Sequence, residues 1–410
     1  MGHGLIALVV AMAFWLSPGQ HRRQPIIKPR YAWILGLLWV SHLLLAPALA
    51  DCECGYLSTI GDSEHALFTD LLETDFARVD DIAKDTDWVR QAFNLTEERA
   101  RGDHGEMFAV ENVFGYHDDG GEEGGTSEAE SWNGERSRGL KLLVGSRLVD
   151  GMVPVAEIDT QRLDIFWGTF RASMKLTDVP GTCAAFFWYF NDTQEIDMEF
   201  LSREFSPLNG SYPVNLVLQS RAAAVAGHDA SRTDAFAKAY LPFDPTAAFH
   251  EYRIDYLRDR VLFYADGALL AEMRDRGGGA VPSAAGHLIL QHWSNGNRYW
   301  SGGPPPRDSA LTVRYVKAYF NSSAARRQRD WEGRCADPRL EKAVCKIPDV
   351  TPTDAGAAGW FFRDQKNMTN NQTISRGEGE EDVDDVGGAV RPWWEAMGLL
   401  VAVSALVIAL

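Results

Sequence analysis

Cysteine is scarce in this chain: 410 residues hold 5. That allows one or two disulfides and leaves a thiol over. Cys52 and Cys54 are separated by one residue, not two, and no histidine lies at ligand spacing nearby, which excludes a zinc reading. Basic charge is also short. Forty Lys and Arg stand against 57 Asp and Glu, for a net charge of −17, which disfavours nucleic acid and anionic membrane surfaces and suits a neutral ligand. No internal repeat is present, so a repeat array is excluded. Helical periodicity is nearly absent, plausible only over residues 66–93. The C-terminal apolar run, 396–410, is shorter than the about 20 residues a membrane-spanning helix needs.

What remains is ample for folding, since 45% of the residues are hydrophobic and a sizeable core follows. Both ends read as processing signals. Residues 31–45 are apolar, follow a basic stretch and lead to Ala48-Leu49-Ala50, a cleavage pattern just before Asp51. A second apolar run at 5–16 lies upstream and leaves two short membrane spans as the alternative. At the other end, Gly387-Gly388-Ala389 precedes a polar spacer and the final apolar run, as a GPI attachment signal does; a short tail-anchoring helix is the alternative. Six N-x-S/T triplets begin at Asn94, Asn191, Asn209, Asn321, Asn367 and Asn371 and agree with export. A secreted or cell-surface setting would be oxidising, and Cys335 with Cys345 is the easiest local disulfide.

Between these ends, short alternating runs at 165–174, 184–190, 195–201, 214–220, 250–256, 261–265, 287–292 and 311–320 read as strands, with turn signals at 258–260 and 266–267. Many strands and few helices imply an all-β sandwich or barrel. The organisation expected is a leader over 1–50, one domain over 51–323, a polar acidic tail over 324–386 and an anchor signal over 387–410. The acidic, Gly-rich stretch 117–134 reads as an exposed loop.

One strand carries chemistry. Residues i, i+2 and i+4 of a strand share a face, so Glu195, Asp197 and Glu199 line one side while Ile196, Met198 and Phe200 face the core. Neighbouring carboxylates about 6.5 Å apart repel by roughly 2–3 kcal/mol at an effective dielectric near 20. Three acids with no interleaved cation therefore carry a cost that function would justify. Across a concave face, Glu195 and Glu199 leaning inward can bring their carboxyls to the ~5–5.5 Å used by retaining glycosidases. Glu195 would then be the nucleophile and Glu199 the acid, then base, kept protonated by crowding, with Asp197 between them. Taken alone the alternation fits an exposed charged strand or a calcium-binding face better. The aromatic block 186–190 running through a tight turn into the acids favours a rigid, buried placement.

Segment 181–202, GTCAAFFWYFNDTQEIDMEFLS, resembles glycoside hydrolase family 16, whose signature is E-x-D-x-E, here without the extra residue some members insert. Segments 168–171, 249–253, 263–267 and 292–305 are similar to its fungal secreted branch, and the likeness extends over about 52–322. The resemblance implies a concanavalin A-like jelly-roll β-sandwich with a concave glycan cleft, and the roles given for Glu195, Asp197 and Glu199. It implies no cofactor, although some relatives carry a structural calcium ion. The partner is then a polysaccharide such as a β-1,3 or β-1,3/1,4 glucan.

Trp293, Trp300 and Asn295 sit in a Ser/Asn/Gly-rich loop and are substrate-binding candidates, the Trp rings for stacking and Asn295 for sugar hydroxyls. Trp188 is a further candidate whose face is open; core is the better reading. His292 and Arg171 read as structural. Three functions compete: an endo-acting β-glucan hydrolase, a cell-wall transglycosylase, and a non-catalytic lectin-like wall protein using the same sandwich.

Overall fold

A computed structural model describes residues 50–117, 138–225, 230–275, 279–351 and 356–368. The leader, the acidic stretch 118–134, Asn371 and the tail from 369 with its anchor signal lie outside the described residues.

Two antiparallel-rich sheets pack face to face. The cleft sheet runs, in spatial order, β14 (Phe236–Tyr240), β13 (Pro213–Gln219), β12 (Gln194–Leu201), β11 (Cys183–Asn191), β18 (His287–Trp293), β9 (Met152–Thr160), β6 (Gly105–Phe108) and β5 (Phe93–Leu95), with β4 (Trp88–Arg90) also on β9. The back sheet runs β17 (Ala268–Arg274), β16 (Arg260–Ala265), β15 (His250–Tyr256), β10 (Ile165–Lys175), β19 (Ser309–Ser322), β8 (Arg138–Val144) and β7 (Val113–His117), with β3 (Asp70–Asp75) also on β19. All eight strands expected from alternation are present. The all-β sandwich reading holds.

The core between the sheets follows from period-2 alternation. Phe186, Trp188, Ile196, Met198, Phe200 and Leu290 from the cleft sheet meet Phe170, Tyr252, Ile254, Tyr256, Val313 and Phe320 from the back sheet. Trp188 stacks at a tilt on Tyr256, ring centroids 5.0 Å apart, and Phe200 meets Tyr252 edge-on at 4.7 Å. Such pairs add about 0.5–1.5 kcal/mol each beyond the area they bury.

Three expectations are corrected. Residues 66–93 are not helical: they form the end of β2 (Glu64–Phe68), then β3, two 3-10 turns and β4. Phe76 and Trp88 pack against each other in the sandwich core. Residues beyond 323 do not all form a tail. The helix Ala325–Arg334 follows β19, β20 (Val344–Lys346) adds in parallel to β1 (Gly55–Ile60), and Phe361 and Phe362 are buried. Cys335 and Cys345 do not pair with each other. The bridges are Cys52–Cys345 and Cys54–Cys335, because β20 lies beside the N-terminal segment. Cys183 is the free thiol, buried in β11. Among the described residues no helix is long and apolar enough to cross a membrane.

Arg171 behaves as expected, buried and paired with Asp349 at 2.9 Å on the outer face of the back sheet.

Candidate active site

The site is built by register. β11 and β12 pair without a shift from Cys183↔Leu201 to Tyr189↔Glu195, so no bulge interrupts the acids. Glu195, Asp197 and Glu199 stand opposite Tyr189, Phe187 and Ala185 on β11, and opposite Gln219, Val217 and Asn215 on β13. The rows continue across β18 to His287, Ile289 and Gln291, and onto β9 at Asp159 and Glu157. Every one of these side chains lies on the face away from the core. Phe93, Leu95, Glu106 and Phe108 close the far side, and the groove they enclose measures about 1040 Å³ of empty space open to solvent.

A turn and a loop reach over this floor. The short helix Glu97–Ala100 ends at Arg101 in the left-handed region (φ 57°), and Arg101 lines the groove. A Cβ on Gly102 would stand 2.2 Å from the Asn295 carbonyl oxygen, so only glycine lets this turn lie against the 294–302 loop.

Electrostatics separates the three strand acids. Glu195 and Asp197 share a hydrogen bond, which requires one proton between two carboxyls. Burial is the largest influence on both. The pair holds one proton between them, and Asp197, which faces the charges of both Glu195 and Glu199, is raised well above the usual carboxylate range. Glu195 still rises to about 7, driven by burial and then by Glu199 and Asp192. Glu199 rises through burial, opposed by hydrogen bonds from Trp300 and Cys183 and by the Arg101 charge. Desolvation, rather than the carboxylate crowding expected from the pattern, is what favours its protonated form.

The remaining candidates divide. Trp293 is half-buried and lines the groove beside Glu199's row, packing on the Phe93–Phe108 cluster. Trp300 reaches the acids directly: its Nε1–H donates to Glu199 Oε1 at 3.2 Å. Asn295 lines the groove, but its polar atoms are engaged in bracing. Its amide donates to the Ala100 carbonyl at 2.6 Å, while its oxygen accepts from Ser301 Oγ and Asn297 N. It holds the loop rather than presenting free groups to a ligand. Trp188 is not at the groove at all. It is fully buried on the core face, its Nε1–H donating to the Ile165 carbonyl at 3.0 Å. His292 is buried between the Leu142 carbonyl and Thr182 Oγ1, and burial lowers it to about 4.

Sequence reasoning missed the second acidic wall, Glu106, Glu157 and Asp159. Residues 155–160, Val-Ala-Glu-Ile-Asp-Thr, alternate as plainly as 195–199 and could have been read as a strand. In the structure Pro154 stands opposite Met107, where β9 runs parallel to β6. Gln291, which donates to Glu157, was readable from the alternation in 287–293. Burial raises Glu157 to about 7, and burial with the neighbouring Glu157 charge raises Glu106 to about 8. Among the described residues no three His, Cys, Asp or Glu side chains are arranged to hold a metal ion.

A sandwich that spends one sheet face on buried carboxyls, under aromatic rims and in an open groove, has the jelly-roll architecture with a concave cleft. Residues 153–316 match the sequence profile of Glycosyl hydrolases family 16. The β-glucanase of Paenibacillus macerans is 28% identical over 133 residues, 31% of this chain and 48% of the relative. That of Bacillus licheniformis is 26% identical over 161 residues, 37% of this chain and 58% of the relative. The chain spans about half the length of these curated relatives. Among solved structures, the endo-β-1,3-glucanase from Pyrococcus furiosus superposes with a TM-score of 0.46 at 17% identity, covering 64% of this chain and 97% of that one.

Proposed function

We propose that the domain is a retaining, endo-acting hydrolase of β-1,3 or β-1,3/1,4 glucans. The observation that carries the reading is the unbroken register that sets Glu195, Asp197 and Glu199 on the groove side of one central strand. The family-16 profile match over residues 153–316 and the similarity to β-glucanases support it. The groove is open along the sheet, as a polymer cut in mid-chain requires.

In this reading the Glu195 carboxylate attacks the anomeric carbon as the bond to the leaving sugar's oxygen breaks, and Glu199 gives its proton to that oxygen. A glycosyl ester on Glu195 results. Glu199, now ionised, takes a proton from water, whose oxygen attacks the anomeric carbon and releases Glu195. Asp197, holding the shared proton against Glu195, limits charge build-up before attack and strengthens Glu195 as a leaving group after it. Trp293 offers a stacking face for a neighbouring sugar ring.

The test is Glu195→Gln on laminarin and lichenan, with xyloglucan and chitin oligomers as controls. Loss of reducing-end release by on the order of 10³-fold or more is expected, with melting temperature unchanged. A variant as active as wild type would sink the assignment, as would a wild type that cleaves none of the four. Product sizing over time distinguishes hydrolysis from transfer to another sugar.

We also infer export to the cell surface with a C-terminal lipid anchor. Two disulfides support an oxidising compartment, and the exposed sequon at Asn209 supports glycosylation. The anchor rests on the sequence of 387–410, and release of the protein from cells by phosphatidylinositol-specific phospholipase tests it.

A further inference from the structure

The two glutamates of the strand differ in what already touches them. Glu195 meets another acid. Glu199 has two donors within reach of a single oxygen, Oε1: Trp300 Nε1–H at 3.2 Å and the Cys183 thiol at 3.7 Å, whose one proton can also turn to the Ala184 carbonyl at 3.7 Å. The thiol arrives from β11, one diagonal step from Glu199, whose direct partner there is Ala185. The indole arrives from the 294–302 loop, which is fastened to the strand's own end: Arg203 Nε donates to the Trp300 carbonyl at 2.5 Å. The same loop is closed by Asn297 with Trp300 and by Asn295 with Ser301. A surface loop tied at this many points delivers the indole nitrogen to a defined place.

A carboxyl oxygen that accepts two hydrogen bonds is a poor place for a proton, since O–H there would face two donors. The thiol cannot reverse its role. It is fully buried beside a carboxyl, and both burial and Glu199 oppose its ionisation, so it keeps its proton and has only Glu199 Oε1 and the Ala184 carbonyl to give it to.

We propose that Cys183 and Trp300 are positioning residues that reserve Glu199 Oε1 as an acceptor and so place the transferable proton on Oε2. This rests on the reading of Glu199 as the acid and base. The arrangement serves both half-reactions: Oε2 carries the proton in the first, and the two donors stabilise the ionised carboxylate that must act as base in the second. Other charged groups facing Glu199 are Glu195 and Asp197 on its own strand and Arg101 from the turn above the groove, with Glu157 further along the same row. None of these donates to Oε1.

The experiment compares wild type with Trp300→Phe, Cys183→Ala and Cys183→Ser. Carboxyl ¹³C NMR of glutamate-labelled protein follows Glu199, assigned by its disappearance in Glu199→Gln. Kinetics run in parallel on lichenan and on an aryl β-glycoside whose dinitrophenolate leaves without protonation. Loss of a donor is expected to move the Glu199 titration upward by about half to one pH unit, more for Trp300→Phe than for Cys183→Ala. Cys183→Ser, which keeps a donor, should return close to wild type. Glucan turnover should fall about 10- to 100-fold in Trp300→Phe, with the aryl substrate much less affected. Titrations that coincide in all four proteins, or equal losses on both substrates, overturn the proposal. If Glu199→Gln itself cleaves glucan normally, the acid–base reading fails instead. The NMR titration reads the positioning without any turnover, so the two failures are told apart.

Discussion

The nested disulfides permit a quantitative prediction. Cys52–Cys345 and Cys54–Cys335 span 293 and 281 residues. In the chain-entropy account, one cross-link of that span restricts the unfolded chain by about 5.7 kcal/mol at 25 °C. The second adds much less. With one bridge closed, the other closes only the circuit made by segments 52–54 and 335–345, about a dozen residues, contributing about 2.8 kcal/mol. Replacing either pair by serine should therefore cost about 3 kcal/mol, because the surviving bridge keeps the long loop shut. Replacing both pairs should cost about 8.5 kcal/mol. Guanidinium unfolding, followed by tryptophan fluorescence and far-ultraviolet dichroism, measures all three variants against wild type. The reasoning is refuted if the two single losses sum to the double loss, or if either single loss exceeds about 5 kcal/mol.

Two further predictions concern side chains. Glu106 is held protonated in the folded protein up to about pH 8, whereas an unfolded glutamate ionises near 4.5. The folded state thus binds the extra proton between those values, and its stability falls as pH rises from 4.5 to 8. Glu106→Gln cannot ionise, so it should match wild type in unfolding free energy near pH 4.5 and exceed it at pH 8, by about 4 kcal/mol; equal differences at both pH values would count against this. The two tryptophans 188 and 293 should separate cleanly. Trp188→Ala opens a core cavity and should cost about 3–5 kcal/mol, while Trp293→Ala, half-buried at the groove, should cost less, about 1–2 kcal/mol, and raise the KM for glucan oligomers roughly tenfold at similar kcat; thermal melts and initial rates on one preparation decide it.

Much of the sandwich was legible because its strands have one apolar face and turn residues at their ends, and period 2 is then unmistakable. The site was legible for the same reason, since Glu195 to Glu199 alternate strictly with Ile196 and Met198. Strand β9 carries the same alternation over 155–160, but its pairing with β6 is parallel, which no local signal announces. Asn295 and Trp188 carry polar handles that suit a ligand equally well on paper. Only the placement of Ala100 and Ile165 shows where those handles go. Pairing of the cysteines depended on a parallel strand contact across nearly the whole chain, which spacing cannot reveal.

The misread tail has a more instructive cause. The outer face of the back sheet carries Glu73, Arg171, Glu251, Arg253 and Lys317, as a sheet facing water would, yet each of these is buried. The cover is the hairpin of β1 and β2 together with the segment after the helix, and that cover is polar in kind. Lys317 Nζ donates to the carbonyls of Ala357, Ala358 and Trp360 at 3.0, 2.9 and 2.7 Å. Arg171 meets the Pro348 carbonyl and Asp349, while Glu73 accepts from the backbone of Phe362 and Arg363. A strap that satisfies buried charges with its backbone needs few aliphatic side chains of its own, so its composition resembles that of a linker. Both disulfides fasten its beginning, at Cys335 and Cys345, to the first residues of the fold. Covalent closure thus stands where a hydrophobic strand would otherwise have held a third layer in place, on the face opposite the groove, leaving the carboxyl-bearing face open.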